Sequence, residues 1–410
     1  MLWPMDLKRI QAALRQRRVD GWLLCDFRNR DFLSYRVLGL DEHKPKSRRW
    51  YYYIPARGTP TRLVHSVERS ALDTLPGRKQ EYVAWTELHA ALKRILGTPR
   101  KAIAMQYSTR NNVPYVALAD AGTVELIRSF GHKVVSSADL VQSFVSVIDD
   151  DGYASHKEAA RLVDGIRAEA FEQIRASVAN GGANGDGNGG ANGCAPRTEY
   201  DIQQFIMGRF AEEGLTTYSP PMVGINDHQA DPHFEVSIET ARTFKPGDKV
   251  LIDLWAKKET PGAIYYDITW AAYLGARPPA EYQKIFTVAR DARDAAIAYV
   301  QDAISRGRSC HGWQVDDACR NVVKKAGYGK YFLHRTGHSI GEETHGTGVN
   351  IDNLETKDER ELIPGCCFSI EPGIYLPNGI AVRTEINMFI RPNGVAEVTG
   401  EIQRELLLLE

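Results

Sequence analysis

Three histidines stand at 334, 338 and 345 in the stretch HRTGHSIGEETHG. His334 and His338 have the four-residue spacing of a helical chelate, but the residues around them argue against a helix. Gly337 and Gly341 bracket His338, and a glycine inside a helix costs about 1 kcal/mol. A helical two-histidine zinc motif also places Glu directly after its first histidine. Here that residue is Arg335. The histidines are therefore expected on irregular or extended backbone, with any further ligands supplied from elsewhere in the chain.

Two apolar segments carry acids that can meet such histidines. KVLIDLWAKKETPGAIYYDITWAAYLG reads as a hairpin turning at Thr260-Pro261-Gly262, with Asp253 and Asp267 on its arms at nearly equal distance from the turn. CFSIEPGIYLPNGIAVRTEINMFI reads as a second hairpin turning at Asn378-Gly379, with Glu371 and Glu385 on its arms. Each pair is separated by 14 positions, which gives the appearance of an internal pseudo-repeat. Strand side chains alternate between faces, so residues opposed across a hairpin share one. Both aspartates lie in apolar runs, and a buried carboxylate needs a partner or a metal. Four carboxylates in one pocket repel one another, and two divalent cations resolve that repulsion. One histidine added to four carboxylates is the usual complement of a dinuclear centre.

These segments need a framework to hold them. With 410 residues the chain has room for two or three domains. Its net charge of −1 implies no nucleic-acid partner. No apolar run reaches the roughly 18 residues of a membrane span, and the start of the chain reads as an amphipathic helix, not a signal peptide. Six scattered cysteines without C-x-x-C spacing suggest neither a zinc site nor a disulfide framework, which fits a reducing, cytoplasmic setting. Cys366 and Cys367 read as small strand residues.

Residues 1–150 read as an α/β domain. The pattern places a helix over Asp6–Arg17, strands over Gly21–Cys25 and Lys101–Tyr107, a hairpin from Arg48–Pro55 and Thr61–Val67, and a helix over Glu87–Leu96. The polar run Asp149-Asp150-Asp151-Gly152 marks a boundary. Residues 151–410 read as α+β. A helix opens at Ser155, with Ser155 and Glu158 as a capping box. Its apolar stripe is Ala159, Leu162, Val163, Ile166, Ala170 and Ile174. The Gly/Asn/Asp-rich stretch 180–193 reads as a flexible, solvated loop. Thr198 and Asp201 cap the next helix, and further helices cover Ala280–Ser305 and Gln314–Lys325.

In their order, PHFEV (232–236), GDKVLIDLWA (247–256), YDITWAAYLG (266–275), HRTGHSIG (334–341), SIEPGIY (369–375) and VRTEI (382–386) resemble the pita-bread metallopeptidases: methionine aminopeptidases, aminopeptidase P and prolidases. The N-terminal region resembles, with weaker signals, the creatinase-type domain of the proline-directed members. The resemblance implies a pita-bread catalytic domain with an internal pseudo-twofold repeat and two divalent metal ions. Asp253 would chelate one ion, Asp267 and Glu385 would bridge both, and His338 and Glu371 would complete the second. It further implies that His334 and His345 flank the centre and contact substrate and the tetrahedral intermediate. His233, in Asp231-Pro232-His233, matches the upstream substrate histidine, with His228 as the competing candidate. Arg383 matches an arginine of the proline-directed members, its plainer role being to pair with a ligand carboxylate. A metal-bridging hydroxide would attack the bond preceding proline in dipeptides or short peptides, with Glu371 shuttling the proton. Carboxylate-rich ligation suits Mn²⁺ and tolerates Co²⁺, Fe²⁺ or Zn²⁺.

The 14-position spacing of Asp253 and Asp267 exceeds the family's usual spacing, and the extra residues fall in the turn around Lys258–Gly262. Two other readings belong to the same resemblance. One is a hydrolase or lyase acting on a small molecule such as ectoine, creatine or dimethylsulfoniopropionate. The other is a non-catalytic binding module, a variant that usually loses ligands; all five stand here. The family architecture implies a homodimer, and Arg48-Arg49-Trp50-Tyr51-Tyr52-Tyr53 is aromatic and basic enough for an interface or, equally, for a half-buried strand.

Overall fold

Alternating burial along the strands organises two units, Met1–Ser146 and Val147–Glu410, of which the computed structural model describes residues 5–181, 197–232 and 234–410. In the first unit, α1 (Leu7–Gln16), β1 (Gly21–Asp26), α2 (Phe32–Leu38), β2 (Trp50–Pro55), β3 (Thr61–His65), β4 (Arg78–Tyr82), α3 (Trp85–Leu96), β5 (Ala102–Met105), α4 (Ala121–Ser129), β6 (Lys133–Ser136) and α5 (Ala138–Val141) follow one another. The strands form one mixed sheet in the order β4-β3-β2-β1-β5-β6. Period-two alternation sends Trp22, Leu24, Tyr52 and Ile54 to one face, against Ile10 and Leu14 of α1. Leu23, Tyr51, Tyr53 and Ile103 go to the other, against α3 and α4.

This arrangement corrects the interface reading of the aromatic strand. Trp50, Tyr51, Tyr52 and Tyr53 are buried in the unit's own core, because β2 lies inside the sheet between β1 and β3. Only Arg48 and Arg49 remain exposed.

The second unit begins with α6 (Asp150–Gly181) and α7 (Glu199–Glu212). Ser155 does not cap α6. Asp149 Oδ1 accepts from the Gly152 amide at 2.8 Å, so the helix starts five residues earlier than its apolar stripe implied. The Ser155 hydroxyl instead donates to the Gly152 carbonyl and accepts from the Ile264 amide. Thr198 does cap α7, reciprocally with Asp201. Of the stretch 180–193, the first two residues close α6 and the rest lie outside the described residues.

Beyond α7 come β7 (Leu215–Thr216), β8 (Met222–Ile225), β9 (Lys249–Lys258), β10 (Tyr266–Leu274), α8 (Ala280–Ser305), α9 (Gly312–Lys325), β11 (Ser339–Ile340), β12 (Cys367–Ile370), β13 (Gly373–Tyr375), β14 (Ala381–Arg383), β15 (Ile386–Ile390), β16 (Ala396–Val398) and β17 (Leu407–Leu409). β9 and β10 pair antiparallel. Their even-numbered residues Val250, Ile252, Leu254, Tyr266 and Ile268 pack on α6 and α7. The second hairpin is one ladder in two pieces, β12 with β15 and β13 with β14. Its even-numbered residues Phe368, Ile370, Ile374, Val382, Ile386 and Met388 pack on α8 and α9. The odd-numbered faces of both hairpins are left to line a site. Among the described residues no helix is long and apolar enough to cross a membrane.

One buried acid in the first unit makes stability depend on pH. Asp31 caps α2 by accepting from the Ser34 amide and hydroxyl, and burial pushes its carboxyl up to about 7. A carboxyl raised on folding favours the protonated form. Its stabilising contribution is full below about pH 4 and is lost as pH rises through about 7. Asp31→Asn, which keeps a good capping side chain, is expected to gain on the parent by on the order of 3 kcal/mol between pH 4 and pH 8. Thermal unfolding of the two proteins across that range checks this; a pH-independent difference would contradict it.

Candidate metal centre

The two hairpins are fastened together where the second one breaks. Pro372 has no amide hydrogen and interrupts the β12–β15 ladder. Beyond the break the register resumes, with Ile370 facing Ile386 on one side and Gly373 facing Arg383 on the other. Glu371 therefore stands directly opposite Glu385. They form a non-hydrogen-bonded pair of the ladder, so both amides point outward. The Glu385 amide donates to the Thr269 carbonyl at 3.0 Å, and the Glu371 amide to the Thr336 carbonyl at 2.7 Å. The Asn387 side chain completes the seam by accepting from the Asp267 amide and donating to its carbonyl.

In the first hairpin the acids are not directly opposed. Asp253 faces Thr269, and Asp267 faces Trp255. The aspartates, at nearly but not quite equal distance from the turn, are offset because the turn centres on Pro261, one residue after the midpoint of the pair. The even offset preserves the parity, so both acids still project from one face as diagonal neighbours. The hairpins thus share a spacing but not a register.

His338 comes to these acids on β11, which pairs with β12. The HRTGHSIGEETHG stretch contains no helix. Gly337 is required by close approach: a Cβ there would lie 2.0 Å from the Ser369 carbonyl oxygen. His338 Nδ1 lies 3.2 Å from the Ser339 carbonyl. A proton on Nδ1 donates to that carbonyl and leaves Nε2 as the lone-pair nitrogen, the arrangement common in metal-ligating histidines. Nε2 lies 3.4 Å from Glu371 Oε1 and 3.5 Å from Asp267 Oδ2, too far for strong hydrogen bonds. Ligand atoms of Asp267, His338 and Glu385 all fall within 4.8 Å of one another.

The charge balance is poor for protein alone. Burial pushes the Asp253 carboxyl up to about 6, against the pull of Arg383. Burial, reinforced by the neighbouring carboxylates, drives Asp267 and Glu385 well above the usual carboxylate range. Burial also lowers His338, keeping its imidazole neutral. Arg383 is the cation in contact, bonded through Nη2 to Asp253 Oδ2 and through Nε to Thr269 Oγ1. Thr269 Oγ1 lies 2.8 Å from both Asp253 Oδ1 and Glu385 Oε2, and its single proton can serve only one at a time. Glu385 Oε1 is buried with no hydrogen-bond partner among the described residues. Hard carboxylate oxygens, a lone-pair imidazole nitrogen and an orphaned buried oxygen fit divalent cations.

The other candidate residues fall into place around this set. His334 is half-buried, with Nδ1 2.7 Å from the Arg335 carbonyl and Nε2 3.0 Å from the Tyr375 hydroxyl. Burial, with the Arg383 charge, lowers it to about 4. The exposed His345 sets its ring edgewise to His338, with centroids 4.3 Å apart. His233 lies outside the described residues. Its competitor, His228, is engaged elsewhere: Nδ1 lies 2.9 Å from the buried Glu199 carboxylate, and the ring stacks on Phe234.

Thr269, Ser369, Tyr375 and Asn387 were not singled out from the sequence. Ser369 Oγ accepts from the His338 amide and donates to Glu371. All four sit an even number of residues from a candidate ligand, so the period-two pattern that marked the acids also marks them.

The model of metallopeptidase family M24 matches residues 154–392, more than half of the chain, and the chain belongs to that family. It is 31% identical over 204 residues to the probable dipeptidase PepE of Mycobacterium tuberculosis, half the length of each protein. It is 33% identical over 164 residues, 40% of each, to the Xaa-Pro dipeptidase of Lactobacillus helveticus. The chain spans about half the length, or less, of these curated relatives. The crystal structure of dipeptidase PepE from Mycobacterium ulcerans superposes with a TM-score of 0.69 over 98% of this chain and 96% of that one, at 23% identity. The fold of the second unit is the pita-bread fold of this family.

Thr269→Val tests the link between the acids. The change keeps the shape but leaves Asp253, Glu385 and Arg383 each short of a partner, a loss of about 1–3 kcal/mol for a buried polar group. Divalent-metal affinity is expected to fall by about 10-fold or more, read as the shift of a Mn²⁺ titration followed by thermal unfolding. An unchanged titration would show that the hydroxyl does not hold the ligands.

Proposed function

We propose that the chain is a metal-dependent peptidase that hydrolyses the bond preceding proline in dipeptides or short peptides. The single observation that carries this is the set of four convergent carboxylates and His338 Nε2, held without enough protein cations to neutralise it. The names of the relatives, dipeptidase and Xaa-Pro dipeptidase, support the substrate class.

Asp253, Asp267, His338, Glu371 and Glu385 would hold two divalent ions, with Mn²⁺ the best match to the donors and Co²⁺, Fe²⁺ or Zn²⁺ tolerated. Ions bound there supply Lewis acidity and a nucleophilic water at neutral pH. Glu371 is the one acid of the four that is not fully buried, so it can exchange a proton with water and pass it to the leaving amine. Its orientation comes from the Ser369 hydroxyl. Arg383 acts through Asp253, which it grips while buried, and meets substrate only at that carboxylate's edge. The Arg335 carbonyl can only accept, so His334 carries its proton on Nδ1 and its Nε2 accepts from the Tyr375 hydroxyl. His345, exposed beside His338, and His233 complete the substrate contacts. We read the first unit as creatinase-like and the assembly as a homodimer of that architecture.

A small-molecule substrate is the second reading; the intact ligand set permits it equally, and the relatives' names favour the peptide. The test is hydrolysis of Xaa-Pro dipeptides and Xaa-Pro-Xaa tripeptides with Mn²⁺ or chelator, alongside metal content. Two ions per chain, chelator-sensitive cleavage and loss of at least about 10³-fold activity in His338→Ala are expected. Two bound ions with no peptide turnover would overturn the peptidase assignment.

A further inference from the structure

The first hairpin carries an aromatic group that the hydrolytic reading does not use. Trp255 is two residues beyond Asp253 on β9 and faces Asp267 on β10. Its side chain therefore leaves the sheet on the same face as the acids, one residue pair nearer the turn. The indole is not fixed by a hydrogen bond, since Nε1 is buried without a partner among the described residues. Rings hold it instead. Tyr218 stacks on it with centroids 5.8 Å apart and planes at 28°. Tyr265 meets Tyr218 edgewise at 6.3 Å.

Local backbone explains why Tyr218 is there. β7 and β8 both pair with β9: Thr216 faces Lys257, and Met222 faces Asp253. Residues 217–221 thus run opposite only residues 254–256. Two extra residues must bulge from the edge, and Pro220 and Pro221 have no amide hydrogen to return to the ladder. The Thr217 hydroxyl, bonded to the Ser219 carbonyl, closes the bulge. Tyr218 rides on it with 62% of its surface exposed, an aromatic ring with one face on Trp255 and the rest open to solvent. The charges of Asp267 and Asp253 both bear on its hydroxyl.

We propose that Trp255, Tyr218 and Tyr265 form a subsite for the side chain of the substrate's amino-terminal residue, and that it selects large apolar or aromatic side chains. The inference rests on the peptidase reading. In such a substrate the scissile carbonyl belongs to the amino-terminal residue, so that residue must sit at the acids. Its side chain is then within reach of the rings, one residue pair along the same face. Lys257, which donates to the Glu342 carbonyl and lies 5.0 Å from the Tyr265 ring centroid, disfavours an arginine or lysine side chain there.

The experiment uses the full chain loaded with Mn²⁺ and compares Phe-Pro with Gly-Pro. The parent is expected to prefer Phe-Pro in kcat/KM by about 10-fold or more. That ratio is expected to collapse towards one in Tyr218→Ala and Trp255→Ala and to persist in Tyr218→Phe. Tyr218 lies on an exposed bulge, so its variant is the one that keeps the strand intact. Metal-dependent turnover with no preference would overturn the subsite and leave the peptidase reading standing. If neither dipeptide is cleaved, the peptidase reading fails, and calorimetric binding of L-phenylalaninamide against glycinamide decides the subsite. Binding of the first alone, lost in Tyr218→Ala, supports it; equal or absent binding of both overturns it.

Discussion

Four carboxylates drawn out of water onto facing strands repel one another, and much of the second unit is arranged around that repulsion. Asp253, Asp267 and Glu385 are buried, and Glu371 is half-buried beside them. The Arg383 guanidinium is bonded to the group through Asp253. Burial and mutual repulsion favour the neutral forms of Asp253, Asp267 and Glu385, so the protein alone stores a deficit of positive charge that bound cations would remove. The energy needed to keep the group together comes from the opposite faces of the same strands. There, even-numbered aliphatic residues pack on α6 and α7 in one hairpin and on α8 and α9 in the other.

The seam between the hairpins uses the alternation of an antiparallel ladder. Glu371 and Glu385 form a non-hydrogen-bonded pair, so their amides point away from each other. The outward Glu385 amide bonds to the Thr269 carbonyl of the other hairpin. The same Thr269 uses its hydroxyl between Asp253 and Glu385. Backbone and side chain of one residue thus couple the ligand pairs, and Asn387 repeats the coupling at Asp267. Metal affinity, hairpin docking and unit stability are consequently tied together.

In the proposed reading, specificity is built by different means from ligation. Asp253 and Asp267 occupy regular strand positions, whereas Tyr218 reaches Trp255 from a bulge containing two prolines. A bulge can change length or side chain without moving the acids. Such a division lets one ligand set serve different substrates within a family.

Sequence alone determined the residue types of the candidate centre, the strand character of both acid-bearing segments, and the absence of a helix at His334–His338. These follow from short-range rules: alternation, turn chemistry and the poor helix propensity of glycine. The same rules put Thr269 and Asn387 on the acid-bearing faces, two residues beyond a ligand, but gave no reason to expect their hydrogen bonds. Tertiary structure decided that the two aspartates sit diagonally and not opposed, around a turn centred on Pro261. It also decided that α6 begins at Asp150 and that Trp50–Tyr53 are core, since a strand's place inside a sheet depends on its neighbours. The contacts of His228 likewise came from the fold, since its carboxylate partner, Glu199, lies in α7 and no spacing along the chain reveals it.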